Sequence, residues 1–553
     1  MDTREEALFS DLGAICTPRA HLSDTRELYK WNTVPYTTSG VTGTLLNSMQ
    51  DGRPESVTLE PKLTGWHRIF VGQGSDSQSC NLKLTKDSAY TNFCAGNSAL
   101  YARHSVEEVY WKAADMTGQT VSIAKYKGGH PVNATLAWLR FVPMDEQEVK
   151  TFLEDMARMD TKRIYTTHDM HGMLGIAEPA DLLDWRSIVQ CYEQSDSEWF
   201  SVENIMIFDG DTSTGNYDNF AYPRLGDKLV QHGLKKKFTW EMLSDLCSYG
   251  HEIGLKMCIS IRMGAWGIEY PYDQMYFTNT FFEENKHLRC HDRDGTPIDA
   301  LSYAYEEVQE YMLDQFEKMA AQGCDAVEMI FSRGVPYTLF EPPFIERFKA
   351  AYGGEDPRYL ANDDERVTAL RCEMMLEFVR KLRVRLDKKV GIHARALISL
   401  YDTRHVGVDV EQMAKEGLIT AIISYPQVFR EILKGDIWQK GAEGKLLDLD
   451  KYYKYVCESP ESILYRRNDI NDIVPMEDSR GVLQGPSSQQ ERIAEFMAIE
   501  KKYGVTVYIE IMPRFMPPLE YKRMALEIYN AGCEHISLRA KSLITGLNTM
   551  PPR

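Results

Sequence analysis

Tyr305-Glu-Glu-Val-Gln-Glu-Tyr-Met-Leu-Asp-Gln-Phe-Glu-Lys-Met-Ala-Ala-Gln-Gly323-Cys-Asp-Ala326-Val-Glu-Met-Ile-Phe331 holds the unit that decides the fold. An amphipathic helical stretch runs to a closing glycine, and a short apolar run of strand length follows. The unit recurs from about residue 150 onward. Its strand-like runs are Arg163-Ile-Tyr-Thr-Thr-His-Asp, Glu203-Asn-Ile-Met-Ile-Phe-Asp, Lys256-Met-Cys-Ile-Ser-Ile-Arg and Ala326-Val-Glu-Met-Ile-Phe. Val390-Gly-Ile-His-Ala-Arg, Thr420-Ala-Ile-Ile-Ser-Tyr, Val505-Thr-Val-Tyr-Ile-Glu and His535-Ile-Ser-Leu-Arg complete the set. Amphipathic stretches separate most of them, for example Trp240 to Gly254, Glu365 to Leu386 and Pro518 to Gly532. Glycines at 254, 323, 417, 504 and 532 stand where a helix would end in left-handed geometry. Eight buried strands alternating with helices predict a (β/α)₈ barrel over residues 151–553. Neither G-x-G-x-x-G nor G-x-x-x-x-G-K-[ST] follows a strand, which speaks against a doubly wound nucleotide fold. The long interval 426–492 predicts a loop insertion serving as a lid or one wall of the site.

Residues 1–150 have a different texture, rich in Gly, Ser, Thr and Asn. Short alternating runs punctuate them: Ser56-Val-Thr-Leu, Trp66-His-Arg-Ile-Phe-Val, Asn81-Leu-Lys-Leu, Val106-Glu-Glu-Val-Tyr-Trp, Thr120-Val-Ser-Ile-Ala and Ala134-Thr-Leu-Ala-Trp-Leu-Arg-Phe-Val. With turns at Asp51-Gly52 and Lys127-Gly-Gly129, this spacing predicts an antiparallel β-sandwich, structural or carbohydrate-binding. Core packing is the expected use of Trp66, Trp111 and Trp138, with stacking on sugar rings as the alternative.

Two domains accord with 553 residues, and 43% hydrophobic with 26% charged residues is the profile of a soluble globular protein. A formal net charge of −18 repels nucleic acid and anionic membrane surfaces as main partners. The basic run Lys235 to Lys237 is too short to reverse this. Eleven scattered cysteines without a C-x-x-C pair read as free thiols in a reducing compartment. With no basic-then-apolar leader and no run near the ~20 apolar residues of a membrane span, the expectation is a cytoplasmic protein. Self-association is left open.

In a barrel, chemistry gathers where the strands end and the loops converge. The residues at those ends are His168 and Asp169 on strand one, Asp209 and Asp211 on strand two, and Arg262 on strand three. Strand four carries Glu328 and Arg333, and strand five His393 and Arg395. Tyr425 ends strand six, Glu510 and Arg514 strand seven, and Arg539 strand eight. Ionisable residues inside apolar runs need partners, and Glu328, His393 and Glu510 are of this kind. Carboxylates facing one another at ~5–5.5 Å suit retaining glycoside hydrolysis, and at ~6.5–9.5 Å inversion through a water. Glu328 is therefore the expected acid and Glu510 the expected nucleophile, with Asp209 and Asp211 in reserve. The arginines, His168, Asp169, His393 and Tyr425 would hold substrate. Nearby arginines also lower carboxylate pKa values, which works against a general acid. The structural alternative is a pair of ion pairs, Glu328 with Arg333 and Glu510 with Arg514. His168-Asp-Met-His171 has the wrong spacing for a metal-dependent hydrolase barrel, so neither metal nor other cofactor is expected. No Ser or Cys occupies a nucleophile elbow.

Several stretches carry a family likeness. They are Cys290-His-Asp-Arg-Asp-Gly-Thr-Pro, Leu301-Ser-Tyr-Ala, Gly323-Cys-Asp-Ala-Val-Glu-Met-Ile-Phe-Ser-Arg, Phe344-Ile-Glu-Arg-Phe-Lys-Ala-Ala-Tyr-Gly and Asp356-Pro-Arg. Glu108-Val-Tyr-Trp-Lys-Ala-Ala-Asp-Met-Thr-Gly, Pro513-Arg514 with Pro517-Pro518, and Ala531-Gly-Cys-Glu-His-Ile-Ser-Leu extend it to both domains. The chain resembles bacterial glycoside-hydrolase-like barrel proteins with an N-terminal β-sandwich. That resemblance implies a hydrolase acting on a small carbohydrate. Such relatives often place an aspartate two residues beyond the position of Glu328, where this chain has Ile330. The departure leaves three outcomes: Glu328 carries the role, the chemistry differs, or it is lost. Two other functions fit the same residues. One is a lyase or isomerase of sugar acids using His393, Tyr425 and the arginines. The other is a carbohydrate-binding protein without catalysis.

Overall fold

A computed structural model describes residues 5–540 except 39, 50–51, 75–79, 94–105, 126–132, 170–181, 206–239, 265, 267–279, 333–335, 361–363, 398, 425–488 and 512–524. Most of the expected 426–492 insertion therefore lies outside the described residues, as do Lys235 to Lys237.

The N-terminal part forms two sheets. One contains β1 (Ala7–Phe9), β2 (Leu22–Ser23), β3 (Trp31–Thr38), β4 (Val41–Ser48), β6 (Trp66–Gly74), β9 (Val106–Asp115) and β11 (Ala134–Pro143). The other is β5 (Val57–Leu59), β7 (Cys80–Leu84), β8 (Thr91–Phe93) and β10 (Val121–Lys125). Pairing is antiparallel except between β2 and β3. Leu46, Ile69, Val71, Leu136 and Leu139 of the first sheet share one buried cluster with Val57, Leu82, Val121 and Ile123 of the second. The hairpin β3–β4 was not among the expected strands. Pro35 and Gly43 interrupt its alternation, and both residues weaken a strand signal in sequence.

The helix Glu146–Ala157 leads out of this unit, and its start is written locally. Asp145 accepts from the Glu148 backbone N–H at 2.7 Å, and Glu148 returns the bond to the Asp145 N–H at 2.9 Å, a reciprocal cap.

Eight parallel strands then close a barrel: β12 (Ile164–Asp169), β13 (Ser197–Ile205), β14 (Lys256–Arg262), β17 (Ala326–Ile330), β18 (Gly391–Ala396), β19 (Ala421–Ser424), β20 (Thr506–Ile511) and β21 (Ile536–Ala540). A small hairpin, β15 (Arg289–His291) with β16 (Pro297–Leu301), lies between β14 and β17. The helix Glu306–Ala320 shows how the outer ring forms. Glu306 and Glu307 favour its start and Lys318 its end, and it buries Val308, Met312, Leu313, Phe316 and Met319. Gly323 (φ 83°) and Gly532 (φ 90°) adopt the left-handed geometry that ends a helix before β17 and before β21.

β13 corrects the sequence reading. It spans Ser197–Ile205, whereas the apolar run beginning at Glu203 had placed strand two too late. Its first half alternates Phe200 and Val202 toward the helices with Ser201 and Glu203 toward the barrel axis, so it lacks the apolar continuity of the other strands.

Candidate active site

The two faces of the barrel strands differ in chemistry. Phe200, Val202, Ile259, Val327, Met329, Ile392, Ile422, Val507 and Ile509 face outward into the helix layer. Near the N-terminal ends the lumen is closed by Tyr165, Cys258, Ala326, Ala421, Ile423 and Tyr508, with Trp199 against them. Toward the C-terminal ends the apolar set gives way to Thr167, Ser201, Glu203, Glu328, Arg395 and Glu510, all buried, while His393, in register with Ala421, is buried against the apolar set itself.

Arg395 is the hub of this polar layer. Its Nε donates to Glu328 at 2.6 Å, Nη1 donates to Glu510, and Nη2 donates to the Thr167 hydroxyl at 2.7 Å. Strands one, four, five and seven thus meet on one guanidinium. Glu328, Arg395 and Glu510 all have 0% of their surface exposed. Burial works to lower the guanidinium pKa, but the carboxylates of Glu328, Glu510 and Glu203 outweigh it and hold the pKa well above the ordinary value.

Glu328 accepts two further bonds, from Ser201 at 2.9 Å and from the Tyr165 hydroxyl at 3.1 Å. Burial, reinforced by Cys258 and Glu328, pushes the Tyr165 phenol well above its usual range, so it remains a donor. The same oxygen lies 3.1 Å from Nδ1 of His393. A phenol has one proton, and here it goes to Glu328. The hydrogen-bond pattern therefore assigns the proton of neutral His393 to Nδ1, which donates to Tyr165. His393 packs edge-on against Trp199 at 4.6 Å between ring centres. Burial, then the Arg395 charge, pushes its pKa down to about 3.

The structure brings Glu328, Glu510, His393 and Arg395 into one network. Arg262 is buried at the end of β14 on the lumen-facing register of Cys258 and Ser260. His168 is set apart, because Tyr165 and Thr167 point inward and alternation turns His168 outward, where it stacks on Phe200 at 6.0 Å. Asp169 and Arg539 lie on β12 and β21, but their side chains are outside what is described. Asp209, Asp211, Arg333, Tyr425 and Arg514 lie outside the described residues, and with them the expected partners Arg333 and Arg514. Among the described residues, the cation that pairs with both glutamates is Arg395. Tyr165, Thr167, Ser201 and Glu203 were not among the expected site residues. Each sits at an inward position of its strand, a signal present in the alternation once β12 and β13 are correctly bounded.

Chemically, the network offers two neighbouring carboxylates on a fixed cation. Three donors converge on Glu328, so its arrangement is that of an acceptor. Among the described residues, no three His, Cys, Asp or Glu side chains gather in a way that would hold a metal ion. No helix among them is long and apolar enough to cross a membrane.

No family model matches the chain, and no curated protein matches it. Solved structures similar to it include a GH31 α-xylosidase from Xanthomonas citri at 14% identity and TM-score 0.24, covering 70% of this chain and 39% of that one. An α-galactosidase from Thermus thermophilus matches at 13% identity and TM-score 0.29, covering 90% of this chain and 94% of that one. A histamine dehydrogenase from Rhizobium sp. 4-9 matches at 11% identity and TM-score 0.33, covering 68% and 43%. Two act on glycosides by name and one is a dehydrogenase, and a likeness at this level carries no reaction.

Proposed function

We propose that this protein is a glycoside hydrolase acting on a short oligosaccharide or glycoside, with Glu328 and Glu510 as its two working carboxylates. The observation that carries this reading is their convergence. One glutamate from strand four and one from strand seven reach a single guanidinium toward the C-terminal ends of the barrel strands. A shared cation keeps two like charges adjacent, and two adjacent carboxylates are the minimum equipment for glycosidic cleavage. Three donors on Glu328 suit a nucleophile or base better than the acid role expected from sequence, and Glu510, which also accepts from Arg395, is the second carboxylate of the pair. The lyase or isomerase alternative needs a base near neutrality. His393 is fully engaged at Nδ1, with its pKa held near 3, and does not supply one. Small neutral or acidic sugars are the proposed partners. The nine described cysteines carry no disulfide, in keeping with a proposed cytoplasmic residence.

One observation favours a second reading, a carbohydrate-binding protein without catalysis. The whole Glu328–Arg395–Glu510 set is at 0% exposure, as a purely structural ion-pair network would be. Purified protein, Glu328→Gln and Glu510→Gln assayed on aryl glycosides and short oligosaccharides separate the two. The hydrolase reading expects turnover that falls by about 10³-fold or more in each variant, since each loses a group needed in the transition state. Turnover unchanged in both variants removes these two residues from the mechanism. Sugar binding without turnover in the parent, weakened in both variants, establishes the second reading.

A further inference from the structure

A cavity of about 770 Å³ lies at the opposite end of the barrel from the Arg395 network. One wall is the outer face of β6 and β9, with Arg68, Tyr110 and Lys112, and a second is the helix Glu146–Ala157, with Gln147 and Phe152. The floor is the N-terminal rim of the barrel around Ile164 and residues 194–196. This volume is within the range of small-molecule sites, which commonly form between domains.

Bonds that cross between the two units brace the walls. Gln194 donates to the Ala113 carbonyl and accepts from the Ala113 N–H, both at 2.9 Å. Lys112 extends its ammonium to Asp87 at 2.8 Å and Glu193 at 2.7 Å. Arg68 bonds Glu148 at 3.1 Å, tying the sheet to the capped start of the helix. The cavity is thus a framed space and not a loose seam.

The same bonds define what would fit. Four of the cations around the cavity already have carboxylate partners: Arg68 with Glu148, Lys112 with Asp87 and Glu193, Arg158 with Asp160 at 2.9 Å, and Arg163 with Glu534 at 3.2 Å, while Lys162 donates to the Gly254 carbonyl at 3.3 Å. Most of the charge lining the cleft is thus already matched in pairs, which leaves little to select a charged ligand. A neutral one finds many donors and acceptors beside two partly exposed aromatic rings. Tyr110 stands edge-on to Phe70 at 5.5 Å, and Phe152 leans on Trp66 at 5.9 Å. The Tyr110 hydroxyl makes no hydrogen bond among the described residues, and burial pushes its pKa up to about 12, which keeps it a donor. Rings combined with dense neutral hydrogen bonding match a polyol with one apolar face.

We infer that this cleft is a second, non-catalytic binding site for a neutral oligosaccharide. The inference is independent of the proposed hydrolysis, because the cleft shares no residue with the Arg395 network.

The test is calorimetric titration of the Glu328→Gln protein, which removes turnover from the measurement, with maltotriose, cellotriose and xylotriose. Glucuronic acid and glucose 6-phosphate serve as charged probes. The expected result is binding of at least one neutral trisaccharide that weakens about tenfold or more in Tyr110→Ala. Tyr110→Phe should weaken it less, and serves alone, read together with Gln147→Ala, if the alanine variant does not fold. Failure of every neutral trisaccharide to bind at millimolar concentration overturns the inference. So does binding indifferent to the Tyr110 and Gln147 changes, or preference for the charged probes. None of these outcomes depends on whether the parent protein hydrolyses glycosides.

Discussion

The two interiors of this chain are built from the same kind of strand and filled in opposite ways. Between the N-terminal sheets, Leu46, Ile69, Val71, Leu82, Ile123 and Leu136 pack into one apolar cluster. Inside the barrel, the apolar set is small, and Glu203, Glu328, Arg395 and Glu510 occupy positions of 0% exposure above it. Barrel lumens are commonly filled with Val, Ile and Leu, and this chain places those residues on the outward face of the same strands. Burying each charge costs several kcal/mol after relaxation, and aliphatic replacements of ion-pair sets are often neutral or stabilising. Stability alone therefore does not account for the lumen. The difference between the interiors is the physical reason to look for chemistry in one of them.

The sharpest way to break that comparison is to remove the hub. Arg395→Met leaves two carboxylates buried without their cation, and should lower unfolding free energy by about 3–5 kcal/mol in urea titration. A loss below about 1 kcal/mol would mean that the lumen tolerates these charges unaided, and the contrast would dissolve. The companion triple change Arg395→Met, Glu328→Leu and Glu510→Leu should recover the loss and reach or exceed parental stability, by up to roughly 4 kcal/mol. It should have no activity on any glycoside that the parent cleaves. Gain of stability with loss of function would show that the charges are kept for the second at the expense of the first.

The next effect is pH-dependent. His393 is held neutral in the fold with a pKa of about 3, against 6.5 when free. Because the folded value is the lower one, the unfolded chain binds the proton more readily between these limits. Stability from this group is fully present above about pH 6.5 and falls as pH drops toward 3, by about 1.4 kcal/mol per unit at the steepest. Urea titrations of the parent and His393→Gln from pH 7 to pH 4 should show a shallower acid limb in the variant. Parallel limbs would mean that the imidazole reaches water, contrary to its packing against Trp199 and Tyr165.

Much of this contrast could be read from sequence, and the gaps have identifiable causes. The barrel was legible because helix-length amphipathic stretches and closing glycines repeat between strands, as at Tyr305 to Phe331. Glu328, His393 and Glu510 stand out in the sequence as ionisable residues within apolar runs. Ser201 and Glu203 did not, because they sit in a strand whose inward positions are polar along most of its length. The partner of the two glutamates was also hidden. Local spacing points to Arg333 and Arg514, which lie outside the described residues; pairing inside a closed barrel also follows register across strands, and that adds Arg395 between the two glutamates. His168 shows the converse error, since its position at a strand end suggested the site and its parity turns it away.

The smallest effect sharpens the other half of the comparison. If the cluster between the N-terminal sheets is an ordinary dry core, deleting one methyl from it should cost only the transfer and cavity terms. Ile69 is 0% exposed, and β6, its strand, pairs with both β9 and β11 in the larger sheet. Ile69→Val should therefore lower stability by about 0.5–1.5 kcal/mol, with no dependence on pH between 4 and 7 and no change in turnover. A two-unit protein need not unfold in one step, so the measurement should follow two probes, tryptophan fluorescence and far-ultraviolet dichroism. Coincident transitions would show the sheets and barrel melting together, coupled through contacts such as the Lys112 and Gln194 bonds between them. Separate transitions, with only one moved by the substitution, would show that the two interiors are independent in stability as well as in chemistry.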